Sequence, residues 1–233
     1  TTGTDLIAIG SGAAYSNTTG AGNMAMGLNA LYSNTTGAGN TALGTQLTGT
    51  GNASLNQNTT GNYNTAAGTS SLKSNTTASN NTAFGYHAAF SNTTGTGLTA
   101  IGYSAMSFNT TGNYNVAIGA AGASGGTALN VNTTGSSNIA VGNGALQANT
   151  TASNNTAVGY NSLAANTTGA SNVAVGYQAL DANTTAAGNV AVGPSALVAN
   201  TTGATNTAVG NEALDANTTA SNNTAVGHAS LGG

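Results

Sequence analysis

The chain has no cysteine, tryptophan or arginine; it has one lysine, Lys73, one proline, Pro194, and four acids, Asp5, Asp181, Glu212 and Asp215. Charged side chains are 2% of 233 residues, which leaves no cluster of bases to neutralise a phosphate backbone, so nucleic acid is excluded as a partner. There is no apolar run near the ~20 residues of a membrane helix, and no basic leader followed by an apolar stretch. Neither membrane insertion nor a retained signal peptide is expected. Without cysteine no disulfide can staple the fold, although that fixes no compartment. Low charge with 5% aromatic residues would suit a disordered chain, but disordered chains keep no strict apolar register.

Such a register is what the chain does have. Asn-Thr-Thr begins at Asn17, Asn34, Asn58, Asn75, Asn92, Asn109, Asn132, Asn149, Asn166, Asn183, Asn200 and Asn217, and nine of the eleven spacings are 17 residues. An Ala-apolar-Gly triplet marks a second phase, its Gly running from Gly10 to Gly227 in thirteen units. The two longer spacings place insertions at about 45–51 and 120–125, both just after that Gly. A 17-residue unit is too short for a helical hairpin repeat of about 33 residues or more. The unit "NTTGASNVAVGYQAL" instead holds a β-branched run bounded by Asn and Gly, a second short apolar piece and turn-forming residues. The expected fold is all-β, a parallel β-solenoid of about thirteen 17-residue coils in a single domain over 1–233, with coils stacked about 4.8 Å apart.

The residue before the marker Gly is Val or another apolar residue in nearly every unit, from Ile9 and Met26 to Val209 and Val226, and this column is expected to fill the interior. Leu four residues after the Gly, as at Leu146, Leu163 and Leu180, is expected inside a second strand. Alternation along a strand then turns the residue before the Val outward. That residue is Ala in every unit: Ala8, Ala25, Ala42, Ala66, Ala83, Ala100, Ala117, Ala140, Ala157, Ala174, Ala191, Ala208 and Ala225. An unvarying methyl on an outer face predicts a lateral packing column, most simply in a trimer.

The unit "NVAVGYQAL" resembles the left-handed parallel β-roll repeats of trimeric autotransporter adhesin heads, which carry Asn, small-apolar alternation and Gly in this order. The longer form with "NTTG" resembles repeats of bacteriophage tail-fibre and bacterial surface proteins. The resemblance covers nearly the whole chain. It implies a left-handed coil, a homotrimer and a place outside the cell.

Catalysis is not expected. His87 and His228 stand eight units apart, and no nucleophile, base and orienting group fall together, nor any metal-ligand or phosphate-binding spacing, so no cofactor or metal is expected. Asp181 and Asp215 share a repeat position two coils apart and read as solvated carboxylates. Each Asn-Thr-Thr is formally an N-glycosylation acceptor, with further acceptors at Asn52, Asn80, Asn154 and Asn222. Sites repeating about every 4.8 Å are too close for full occupancy, whereas stacked Asn side chains can bond as a ladder between identical coils. Small Thr-linked sugars are a further reading, and regular Thr arrays also raise ice binding. Tyr86, Tyr103, Tyr160 and Tyr177 follow the marker Gly and are expected to cover a corner of the coil or to form an aromatic stripe.

The last unit ends in phase with the first, so head-to-tail stacking into a filament, or excision from a longer fibre protein, is expected. The reading is a non-enzymatic, extracellular structural protein at a cell surface or on a virion. Its partners are expected to be further copies of itself, head to tail or as a trimer, and a cell-surface glycan or receptor.

Overall fold

A computed structural model of the chain describes residues 2–46, 53–120 and 126–232. The expectation of a single domain over 1–233 meets a chain that divides into two compact units, Thr1–Tyr114 and Asn115–Gly233. The first holds β1 Ile7–Ile9, β2 Met24–Met26, β3 Thr41–Leu43, β4 Thr65–Ala67, β5 Thr82–Phe84 and β6 Thr99–Ile101. The second holds β7 Val116–Ile118, β8 Ile139–Val141, β9 Thr156–Val158, β10 Val173–Val175, β11 Val190–Val192, β12 Thr207–Val209 and β13 Thr224–Val226. Each unit is all-β, a parallel β-solenoid of coils of about 17 residues, with no helix among the described residues.

Within each unit, strands consecutive in sequence pair in parallel and in register, so that Ala174 lies beside Ala157 on one side and Ala191 on the other. The register survives both long spacings: Ala42 pairs with Ala66, and Ala117 with Ala140. The inserted segments at about 45–51 and 120–125 lie mostly outside the described residues, but the coils that flank them stack as the others do.

The two faces of the strand are the reverse of the expected ones. Ala174 and Ala191 are 0% exposed, whereas Val175 and Val192 are each 36% exposed. The pattern holds from β2 to β13: the central Ala points inward, and the residues on either side of it point outward. Alternation fixes that neighbours face opposite ways but not which face is inside. A 17-residue coil encloses a narrow space, and the Leu from the opposite arc, Leu180 at 0% exposure, occupies most of it. Only a methyl fits against it, because a close-packed interior does not absorb extra methylenes without strain.

That opposite arc is not a second strand but a run of turns. Gln178 and Leu180 have φ of 53° and 54°, so they lie in the left-handed region, between residues of ordinary hand. The alternation divides the backbone donors. Ala179 N–H donates to Gly176 O and Asp181 N–H to Gln178 O within the coil, at 3.4 and 3.3 Å, while Gln178 N–H and Leu180 N–H donate to Tyr160 O and Ala196 O of the adjacent coils at 2.9 and 3.0 Å. A left-handed Leu costs about 1–2 kcal/mol on its own. It is held there because the turn aims the side chain into the core and its N–H into the next coil.

The marker Gly is required by the same stacking. At Gly176 φ is 141°, and an added Cβ would lie 2.5 Å from the carbonyl oxygen of Gly193 in the next coil. In the coil beginning at Asn172 the fully buried side chains are Asn172, Ala174, Ala179, Leu180 and Asn183, so two of five are amides. Such an interior stands only if every amide is bonded.

Candidate functional site

The Asn of each Asn-Thr-Thr meets that condition. Asn166 Nδ2 donates to Asn149 Oδ1 at 3.1 Å and to Gly169 O at 2.9 Å, and Asn183 Nδ2 donates to Asn166 Oδ1 at 2.9 Å. The same ladder links Asn34 to Asn17, Asn58 to Asn34, Asn75 to Asn58, Asn92 to Asn75 and Asn109 to Asn92, at 2.7–3.0 Å. In the second unit Asn149 bonds to Asn132, Asn200 to Asn183 and Asn217 to Asn200, at 2.9–3.2 Å. The expected ladder is present. The same geometry corrects the glycosylation expectation for the triplet column, since the acceptor amides from Asn17 to Asn200 are 0–1% exposed and their nitrogens are committed inside the coil, whereas Asn80, Asn154 and Asn222 are exposed and Asn52 lies outside the described residues. Asn217 is half-buried and makes the same two donations.

A second buried Asn column, which sequence reasoning missed, runs two residues before the central Ala. Asn172 Oδ1 accepts the backbone N–H of Asn189 at 2.9 Å, and Asn172 Nδ2 donates to Ala186 O at 2.8 Å. Its signal was the near-constant Asn in "NVAVG". In two coils Leu takes this place, Leu6 in the first and Leu98, which is buried, its N–H still donating to Asn81 Oδ1 at 2.9 Å.

The two Thr columns differ. The hydroxyl of the first Thr crosses to the next coil, as from Thr18 to Thr35 O at 2.8 Å and from Thr167 to Thr184 O at 3.0 Å. From Thr19 to Thr219 the second Thr is exposed and its hydroxyl has no partner in the protein among the described residues, whereas Thr2 Oγ1 donates to Thr18 O at 3.4 Å.

The lateral column of Ala8, Ala25, Ala42, Ala66, Ala83, Ala100, Ala117, Ala140, Ala157, Ala174, Ala191, Ala208 and Ala225 is corrected too. From Ala25 to Ala208 these residues are 0% exposed and Ala225 is 4%, so they offer no surface to a neighbour; Ala8 is exposed within β1. What faces outward is the flanking pair of each strand, Val173 and Val175 in β10 and Thr207 and Val209 in β12.

Tyr160 and Tyr177 stack between adjacent coils at 5.6 Å, and Tyr15 and Tyr32 at 5.1 Å. Around Tyr86 the pattern becomes irregular. Tyr86 lies between His87 at 4.0 Å and Tyr103 at 5.4 Å, His87 packs on Phe90 at 4.5 Å, and Lys73 Nζ stands 5.4 Å from the Phe90 ring centre. The chain's one lysine thus caps an aromatic stack. Burial holds the His87 imidazole below its usual pKa, and its Nε2 is buried without a hydrogen bond.

The remaining titratable groups do not converge. His228 is in the other unit, bonded through Nδ1 to Asn211. Burial pushes Asp181 above the usual carboxylate range, with Gln178 Nε2 3.5 Å from its Oδ2, and Val198 separates it from Asp215 in the column. Among the described residues no three His, Cys, Asp or Glu gather to hold a metal, and no cleft opens. Among the described residues no helix is long and apolar enough to cross a membrane. No family model, curated protein or solved structure matches the chain.

Proposed function

We propose that the chain is a non-enzymatic, extracellular structural element, a β-solenoid segment of a fibre or surface filament that associates end to end or laterally and serves adhesion. The observation that carries this reading is where the side-chain chemistry goes. The Asn and first Thr of the coils bond to the adjacent coil and the Leu found in most of them is buried, so the repeat is built for extension and presents no convergent site among the described residues. Lateral association, as in a trimer, would use the outward β-branched face, with Val175, Val192 and Val209 each 36–37% exposed. Negative-stain images of the purified chain test the reading. Long uniform filaments or bundled rods are expected; compact single particles would overturn it.

One observation favours a second reading, a receptor- or glycan-binding head at a cell surface or on a virion. The stack of Lys73, Phe90, His87, Tyr86 and Tyr103 breaks the repeat on the surface, with Tyr103 52% exposed. Binding of the chain to a glycan array, lost in Tyr103→Ala, would support it.

A further inference from the structure

We infer that the second Thr of each Asn-Thr-Thr is an acceptor for O-linked sugar, so that the chain carries a column of small glycans along one edge of each unit. The turn holds two Thr in every coil, and the structure accounts for only one of them. The first donates its hydroxyl to the next coil, where Thr184 O also accepts the backbone N–H of Thr167 and of Thr168 at 2.8 and 3.4 Å. The second needs nothing from its side chain: from Thr19 to Thr219 the side chain is exposed, and among the described residues its hydroxyl has no protein partner. An exposed turn position would ordinarily drift among polar residues, yet this one is Thr in every unit.

A second, independent observation points to attached sugar. Soluble domains usually present a surface about 25–35% charged. Here 2% of the residues carry charge while Val175, Ile101 and Tyr103 stand 36%, 38% and 52% exposed. Surface glycans supply the missing hydration. The Asn of the repeated Asn-Thr-Thr cannot carry them from Asn17 to Asn200, because its amide is buried and bonded, which leaves only Asn80, Asn154 and Asn222 as scattered, exposed acceptors among the described residues. Coils about 4.8 Å apart restrict the column to single small sugars or to alternate coils.

In the transfer, Thr Oγ1 attacks C1 of a nucleotide-activated sugar. The bond from C1 to the phosphate oxygen breaks as the C1–Oγ1 bond forms; the nucleoside diphosphate leaves, and the hydroxyl proton passes to a base of the transferase. This stands apart from the filament reading, because an unmodified chain can still form fibres.

The test is the intact mass of the chain isolated from the organism that makes it, before and after alkaline β-elimination, with electron-transfer fragmentation to place the sugars. Hexose or N-acetylhexosamine increments above 22.1 kDa, removed by alkali and located on residues such as Thr168, Thr185 and Thr202, are expected. The Thr168→Val, Thr185→Val, Thr202→Val variant made in the same organism should lose every sugar located on those three residues, with an unchanged circular dichroism spectrum. A mass equal to the sequence mass, or sugar on Asn or on the first Thr, overturns the proposal.

Discussion

Asn166 Nδ2 lies 3.1 Å from Asn149 Oδ1, and the two amides belong to consecutive coils, both fully buried. The pair is one rung of a ladder that does the work an apolar core does elsewhere. Replacing Asn166 with Leu keeps the number and branching of side-chain heavy atoms but leaves Asn149 Oδ1 and Asn183 Nδ2 each short of a partner. At about 1–3 kcal/mol per orphaned buried group, the loss should be about 2–5 kcal/mol in urea unfolding. A loss below about 0.5 kcal/mol would mean the ladder contributes nothing.

The inward Ala and outward Val give opposite expectations for neighbouring positions. Ala174→Leu forces three more carbons into a filled interior and should cost at least about 1–3 kcal/mol. Val175→Thr changes an outward side chain and should stay within about 0.5 kcal/mol. The reverse ranking in thermal melts would restore Val to the interior.

Leu98 provides a substitution already made in the sequence. Gly112 O stands at the offset of fourteen residues at which Asn81 Nδ2 reaches Gly95 O, 3.0 Å away. Leu98→Asn loses about 2 kcal/mol of apolar burial and regains hydrogen bonds of about 1 kcal/mol each, so it should be near neutral. Asn172→Leu, which strands the N–H of Asn189, should cost about 1–3 kcal/mol. Equal costs in chemical denaturation would contradict the assignment.

Two groups set the pH dependence, with opposite signs. His87 has a lowered pKa in the folded chain, so the unfolded chain takes up its proton first, and stability falls as pH drops below about 6.5. Asp181 has a raised pKa, so its folded form holds the proton longer; that contribution is complete below about 3.9 and is lost as pH rises through the folded value. Melting temperature should therefore decline from pH 7 toward 5 in the native chain and lose that slope in His87→Phe. Asp181→Asn should remove only the more acidic feature. An unchanged slope in His87→Phe would mean the imidazole is solvated in the fold.

The coil length, the parallel stacking and the Asn ladder were legible because identical units must place identical groups together, and Asn166 above Asn149 follows from spacing alone. The polarity of the strand was not. Hydrophobicity favours Val175 over Ala174 for the interior, and only the width left beside Leu180 decides otherwise. The turns at Gln178 and Leu180 were hidden for a related reason. Neither residue favours the left-handed region, so local preference pointed to a strand while stacking demanded a turn. Asn172 was visible as a constant letter, but its role appears only when its carbonyl oxygen is seen to accept from the next coil.

Cryo-electron microscopy of the purified chain, with the power spectrum taken along the particles, tests the fibre reading most directly. The account predicts filaments with an axial reflection near 4.8 Å, one coil per repeat. Compact, discrete particles with no such reflection would contradict it.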